Sequence, residues 1–260
     1  MAPSPESIPA PAARRVGVLI PSYNNDGAIA DVIAGAKAHG LPVLVLNDGS
    51  TDATPTVAKR AGADVVDHAV NQGKGQALLT GWHEAAARGW SHAICMDADG
   101  QHLAQDLPAF VAAIEAEPDA IHVGTRPETG PNVPKSSRVG RRISDFMLWA
   151  AAAKELRGEK PDSQCGFRAY PIQHVLALPL KARRYSMEME VLVRAAWLGV
   201  PVKELPISVY YPPAEERVSH FDKWLDNRRI VGTYTRLMLI RLFWPITRPG
   251  KKKMLLPPRR

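Results

Sequence analysis

Cysteine is scarce: the chain of 260 residues carries two, Cys95 and Cys165, far apart in sequence. Neither sits in a CxxC pair, which excludes a disulfide framework and a cysteine zinc site and makes a reducing compartment the default. Long apolar runs are also missing. No stretch of about 18 uncharged apolar residues occurs, so no transmembrane helix is expected. Residues 1–14 are rich in Pro, Ala and Ser and lack an apolar h-region; they read as a disordered lead-in rather than a signal peptide. There is no internal repeat. No nucleic-acid recognition motif and no aromatic platform interleaved with basic residues is present, so nucleic acid is not the expected partner.

A formal net charge of +7 therefore asks for another anion, a phosphorylated ligand or an acidic membrane surface. Much of the excess follows Arg217, and the chain ends in Lys251, Lys252, Lys253, Arg259 and Arg260. Hydrophobic content of 45% and charged content of 23% are those of a globular domain with a sizeable core.

Short apolar runs alternate with Ala-rich stretches. The runs are Val16–Ile20, Val43–Leu46, Asp64–Val66, His92–Met96 and Ala120–Val123. Between them, 28–39, 52–61, 73–88 and 106–116 are helical in period or composition. Strands alternating with helices predict an α/β fold, a mostly parallel sheet with helices on both faces. In such sheets ligands bind beyond the carboxyl ends of the strands. Residues 124–142 read as a loop, 143–157 as an amphipathic helix, 162–168 as a second polar loop, and 186–198 as a helix ending at Gly199. Val200–Tyr211 predicts one or two strands, and 221–244 a mixed apolar and basic helix.

Asp97-Ala98-Asp99 is the sharpest chemical signal. In extended chain, residues two apart point the same way. Two carboxylates on one side, directly after an apolar strand, repel unless a cation joins them. Mg²⁺ and Mn²⁺ prefer oxygen ligands and keep substrate phosphates in their shell. Gln101 offers a further oxygen, and a solvated acidic turn is the plainer reading. Asn47-Asp48-Gly49-Ser50-Thr51-Asp52 ends the second run; Asp48 suits a ribose or base edge, and Ser50 or Thr51 suits a helix cap. The plainer reading is strand, turn and capped helix. Gly73-Lys74-Gly75 opens a helix, where glycines permit close backbone approach and Lys74 offers charge to a phosphate.

In this order IPSYNN, NDGSTDAT, NQGKGQAL and MDADGQH resemble the family 2 glycosyltransferases of the GT-A fold. DSQCGFRAYP and EMEVLVRAAWLGVPVKELPI resemble the dolichol-phosphate mannosyltransferase branch, which transfers a sugar to a polyprenyl phosphate. The resemblance runs from about Val16 to Tyr211. It implies a GT-A domain over 15–220 and a basic amphipathic helix and tail over 221–260. It also implies a nucleotide-sugar donor, GDP- or UDP-linked, a lipid acceptor and an inverting mechanism using Mg²⁺ or Mn²⁺. Pro21, Tyr23, Asn24, Asp48, Lys74, Gly75, Asp97, Ala98, Asp99, Arg138, Arg217, Ser219 and His220 would then bind the nucleotide-sugar. Asp97, Asp99 and Gln101 would hold the metal. Arg126 would face the sugar and phosphates, and Gln164, Gly166, Phe167 and Arg168 would lie on the acceptor side. Asn47 stands where many members carry an acid, which leaves the nucleotide base open.

Asp162, Glu188 and Glu190 are the candidate bases for a hydroxyl acceptor; a lipid phosphate, already anionic, needs none. Arg126, Arg138, Arg141, Arg142 and Arg168 suit a diphosphate substrate or, more plainly, a solvated face. Arg228, Arg229, Arg236 and Arg241 interrupt the apolar residues of 228–246, which with Trp244 suits an interfacial helix on anionic lipid at the inner face of the plasma membrane. A helix packed on the domain fits equally. A hydroxyl acceptor, a silent membrane-associated relative and nucleotidyl transfer are the alternative functions.

Overall fold

The computed structural model of the protein describes residues 15–127, 135–211 and 223–243. The predicted lead-in, residues 128–134, and Arg217, Ser219, His220 and the tail from Trp244 lie outside them. Strands β1 (Val16–Ser22), β2 (Val43–Asn47), β3 (Asp64–Asp67), β4 (His92–Cys95), β5 (Ile121–Thr125), β6 (Arg168–Pro171) and β7 (Val202–Pro206) form one sheet, in the order β3-β2-β1-β4-β6-β5-β7. Helices α1 (Ile29–Ala38), α2 (Thr54–Arg60), α3 (Lys74–Ala87), α4 (Leu107–Ala116), α5 (Lys135–Leu156), α6 (Ile172–Leu176), α7 (Ser186–Trp197) and α8 (Lys223–Phe243) flank it.

β1 and β2 have almost no polar alternation because both faces of the sheet are covered. Successive side chains go to opposite faces. Leu19, Leu44 and Leu46 pack with buried residues of α3, α5, α7 and α8. Val18, Ile20, Val43 and Val45 pack with α1, α2 and α4. β1, β2, β3 and β4 pair in parallel, so their carboxyl ends share one edge.

Two expectations need correction. Residues 168–171, read in part as a polar loop, form β6, which pairs antiparallel with both β4 and β5. Its four residues are too few to show a period. The strand delivers the preceding segment, 162–167, to the carboxyl edge of β4. Second, the expected loop over 124–142 is helical from Lys135. Val200–Tyr211 yields one strand, β7, within the one or two expected, and an isolated bridge between Val209 and His102.

α8 packs on the domain through Ile230, Tyr234 and Leu237, spaced one helical face apart and buried. The Tyr234 hydroxyl donates to the Ser144 carbonyl of α5 at 3.2 Å. No described helix is long and apolar enough to cross a membrane.

Candidate active site

The carboxyl ends of β1, β2 and β4 converge as the parallel topology requires. Asn24, in the left-handed region at φ 52°, ties two of the loops together. Its N–H donates to Ser50 Oγ at 3.0 Å, and its side-chain oxygen accepts from the Thr51 N–H at 2.9 Å. Ser50 and Thr51 are thus used in the loop contact rather than as the helix cap; Asp52 Oδ1 accepts the Thr54 N–H at the start of α2. Pro21 is buried at the end of β1 and Tyr23 is half-buried beyond it.

At the end of β4, Ala98 turns its methyl into the core while Asp97 and Asp99 remain half-buried. Lys74 Nζ lies 2.6 Å from Asp97 Oδ1 and 3.1 Å from Glu188 Oε2. Burial works against the charge on Lys74, but Asp97 and Glu188 outweigh it and hold the ammonium well above the ordinary lysine range. Burial likewise pushes Asp97 upward, yet Lys74, supported by His102 and Arg126, holds it at about 2. Asp99 goes the other way: burial, with the Asp97 charge adding to it, lifts its carboxyl to about 6. Gln101 grips Asp99 twice, its backbone N–H on Oδ1 at 3.0 Å and its side-chain amide on Oδ2 at 2.9 Å. Gln101, expected as a metal ligand, presents N–H donors to Asp99 and so positions that carboxylate.

His102 is buried, and burial holds its imidazole down at about 4 despite the nearby Asp97. Its Nδ1 accepts the Asp97 N–H at 3.1 Å, which puts the ring proton on Nε2. The ring stacks on Phe167, 5.1 Å between centroids. Gly166 completes the cradle. A Cβ there would stand 2.7 and 2.8 Å from the Asp97 carboxylate oxygens and 2.8 Å from Lys74 Nζ.

Several of the expected site residues are engaged within the chain. Asp48 is buried; it accepts the Gln72 and Gly73 N–H groups at 2.9 and 2.7 Å and contacts His68 Nδ1 at 2.8 Å. It fastens the turn that presents Lys74. Gly75 admits chain rather than ligand: a Cβ would meet Arg183, Arg184 and Met187 at 2.7 Å. Asp162 is buried and takes a bidentate pair from Arg126, 2.7 and 3.0 Å, with Arg141 at 3.4 Å. Burial raises its carboxyl, but the arginines outweigh this and leave it below the usual range. Glu190 is fully buried and accepts from the Lys181 and Ala182 N–H groups, Arg194 and Arg236 at 2.7–2.9 Å. Burial is again outweighed, and its carboxyl is lowered. Phe167 and Arg168 lie in the core; the Arg168 guanidinium is spent on the carbonyls of Cys165, Ser163 and Glu188. Gln164 is half-buried, its amide reaching the Gly140 carbonyl at 3.5 Å, and Arg138 is half-buried on α5. Burial lifts the Cys165 thiol to about 12, which removes it as a nucleophile.

The pairing of Glu188 with Lys74 and the seat of Gly166 on Asp97 had no signal in the sequence. Both depend on contacts between segments far apart in the sequence. Asp97, Asp99 and Glu188 against Lys74 leave the cluster short of positive charge. Its donors are hard oxygens, and Asp97 is partly open to solvent, so the acids suit a divalent ion. Among the described residues no group of three or more His, Cys, Asp or Glu side chains is arranged to hold a metal alone. Such a site is completed by ligand oxygens.

The family model of glycosyl transferase family 2 matches residues 17–175. The chain belongs to this family. Within it the resemblance to the dolichol-phosphate mannosyltransferase branch holds, and this glycosyltransferase has named relatives there. It is 27% identical over 223 residues to the UDP-N-acetylglucosamine–dolichyl-phosphate N-acetylglucosaminyltransferase of Methanococcus voltae, covering 77% of this chain and 87% of that protein. It is 29% identical over 214 residues to the polyprenol monophosphomannose synthase of Mycolicibacterium smegmatis, covering 75% and 77%. Among solved structures, glucosyl-3-phosphoglycerate synthase from Mycobacterium tuberculosis with Mg²⁺ and uridine diphosphate is similar at TM-score 0.66 and 22% identity, over 87% of this chain and 80% of that one. That likeness establishes the fold of the glycosyltransferase as GT-A.

Proposed function

We propose that this glycosyltransferase moves a sugar from a GDP- or UDP-linked donor to a polyprenyl phosphate, with inversion, using Mg²⁺ or Mn²⁺. The observation that carries the acceptor is the state of the three candidate bases. Asp162 and Glu190 are buried and tied by hydrogen bonds, and Glu188 is ion-paired to Lys74. A hydroxyl acceptor needs a base; a phosphate acceptor brings its own anionic oxygen. The relatives from Methanococcus and Mycolicibacterium, named for dolichyl phosphate and polyprenol, support the same choice.

Asp97 and Asp99 would hold the metal. When bound there it would neutralise charge on the departing diphosphate. Lys74 keeps Asp97 ionised and in place, Gln101 orients Asp99, and neutral His102 fixes the main chain between β4 and the acids. Holding donor and acceptor in line is itself a large part of the rate.

Peripheral contact with anionic membrane fits the outer helices. Val139, Ile143, Phe146 and Trp149 recur on one face of α5 and are each 57–64% exposed. Val231, Leu239 and Leu242 are exposed on α8, which packs against α5. An interfacial seat at the inner face of the plasma membrane would bring a lipid acceptor to the enzyme.

The test is a panel of nucleotide-sugars with extracted membrane lipid as acceptor, with and without Mn²⁺, read by release of UDP or GDP. Turnover should need lipid phosphate and metal, and Asp99→Ala should abolish it. Full activity in that variant overturns the metal assignment. Transfer only to lipid hydroxyls overturns the acceptor and would bring Glu188 back as base.

A further inference from the structure

A cavity of about 380 Å³ lies between the segment leading into α7 and one face of α8. Lys181, Arg183 and Arg184 line it from the first side, Arg229 and Arg236 from the second. No acidic side chain is among its described lining residues. The carboxylate beneath it is Glu190, which is fully buried and holds Arg236 Nη2 at 2.8 Å and Arg194 Nε at 2.7 Å. Its other oxygen accepts the Lys181 and Ala182 N–H groups. Glu190 thus anchors both walls while its own charge is used up.

Arg236 is thus held by Glu190, and its Nε is shielded from solvent without a hydrogen-bond partner. α7 begins at Ser186, also in the wall, so the positive end of that helix adds to the field. These five cationic side chains line one cavity. Four of the five are arginines, whose planar donors match phosphate oxygens in pairs.

We propose that this cavity binds a phosphomonoester anion, at a site separate from the acids at the end of β4. Such a group brings close to two negative charges and three acceptor oxygens at neutral pH. The site is wired to the active centre by main chain. The Gln76 N–H at the start of α3 donates to the Arg183 carbonyl at 2.8 Å, and a Cβ on Gly73 would lie 2.5 Å from Arg184 Cγ. Between the two arginines' segment and Ser186 stands Tyr185, whose ring centre is 6.0 Å from Lys74 Nζ. Occupancy would steady the segment on which Lys74 and the glycine turn rest.

The phosphomonoester comes from either a soluble molecule or a lipid headgroup, and two arms separate them. In the first, inorganic phosphate is titrated calorimetrically into the full chain in EDTA, so that no metal recruits it to Asp97 and Asp99. The wild type should bind, Arg183→Gln and Arg229→Gln should each weaken binding, and their combination should weaken it roughly tenfold or more. The Asp97→Asn, Asp99→Asn double variant should bind as the wild type does. Near-ultraviolet circular dichroism checks the fold, and the single variants on opposite walls remain informative where the double variant misfolds. In the second arm, co-sedimentation compares phosphatidylcholine vesicles with and without phosphatidic acid. Loss of phosphatidic-acid-dependent binding in Arg183→Gln identifies a lipid headgroup; unchanged vesicle binding beside weakened phosphate binding identifies a soluble anion. No phosphate binding by the wild type, or equal binding by all the arginine variants, overturns the proposal. Either result leaves the Asp99→Ala turnover test untouched, so the two readings fail independently.

Discussion

Replacing Gly166 by alanine isolates the geometry of the acid pair from the stability of the fold. The backbone at Gly166 is not left-handed, so an alanine is not strained there. Its methyl would nevertheless stand 2.7 and 2.8 Å from the Asp97 oxygens and 2.8 Å from Lys74 Nζ, where ordinary contact begins at 3.4 Å. The atoms that must yield are the ends of two side chains rather than main chain. The Lys74–Asp97 pair should therefore move by several tenths of an ångström while the core stays in place. A shift of that kind costs the fold about 1 kcal/mol, or roughly 2–4 °C in Tm for a chain of this size. A misplacement of about 1 Å costs catalysis on the order of 100-fold, so a 10- to 100-fold fall in kcat/KM is expected for Gly166→Ala. Nucleoside diphosphate release measured beside a thermal melt separates the two effects. Wild-type turnover in a folded Gly166→Ala protein would refute the reasoning, as would a loss of activity that merely follows a loss of folded protein.

Glu190→Ala should destabilise by about 3–5 kcal/mol, because it strands Arg194, Arg236 and two main-chain N–H groups; a melt that stays at the wild-type temperature while turnover vanishes would restore Glu190 as a base. Asp162, lowered in the fold by its arginines, contributes stability above its unfolded pKa of about 3.9, and that contribution is lost as pH falls through the lower folded value. Urea unfolding from pH 7 down to about 3 should therefore show a shallower loss for Asp162→Asn than for the wild type, and equal slopes would show that the pair adds nothing. Phe146→Glu with Trp149→Glu should reduce co-sedimentation with anionic vesicles severalfold and leave the melting temperature nearly unchanged, since both side chains are exposed; undiminished vesicle binding would remove α5 from the membrane contact.

The sequence by itself determined the alternating strands and helices from Val16 to Val123 and the edge at which chemistry gathers. Apolar periodicity is local, and parallel pairing places loops after strands on one side. It also determined that Asp97 and Asp99 stand at the end of β4. Only the tertiary structure decided which acids are available. Asp48, Asp162 and Glu190 read as chemical groups in the chain, but each is spent on partners 20 or more residues away or on buried arginines. Burial and pairing set the state of a carboxylate, and neither is written in its neighbours along the sequence. The short antiparallel β6 was hidden for a related reason. Four residues carry no period, yet that strand brings Gly166 onto Asp97, and the start of α7, packed beside it, brings Glu188 onto Lys74.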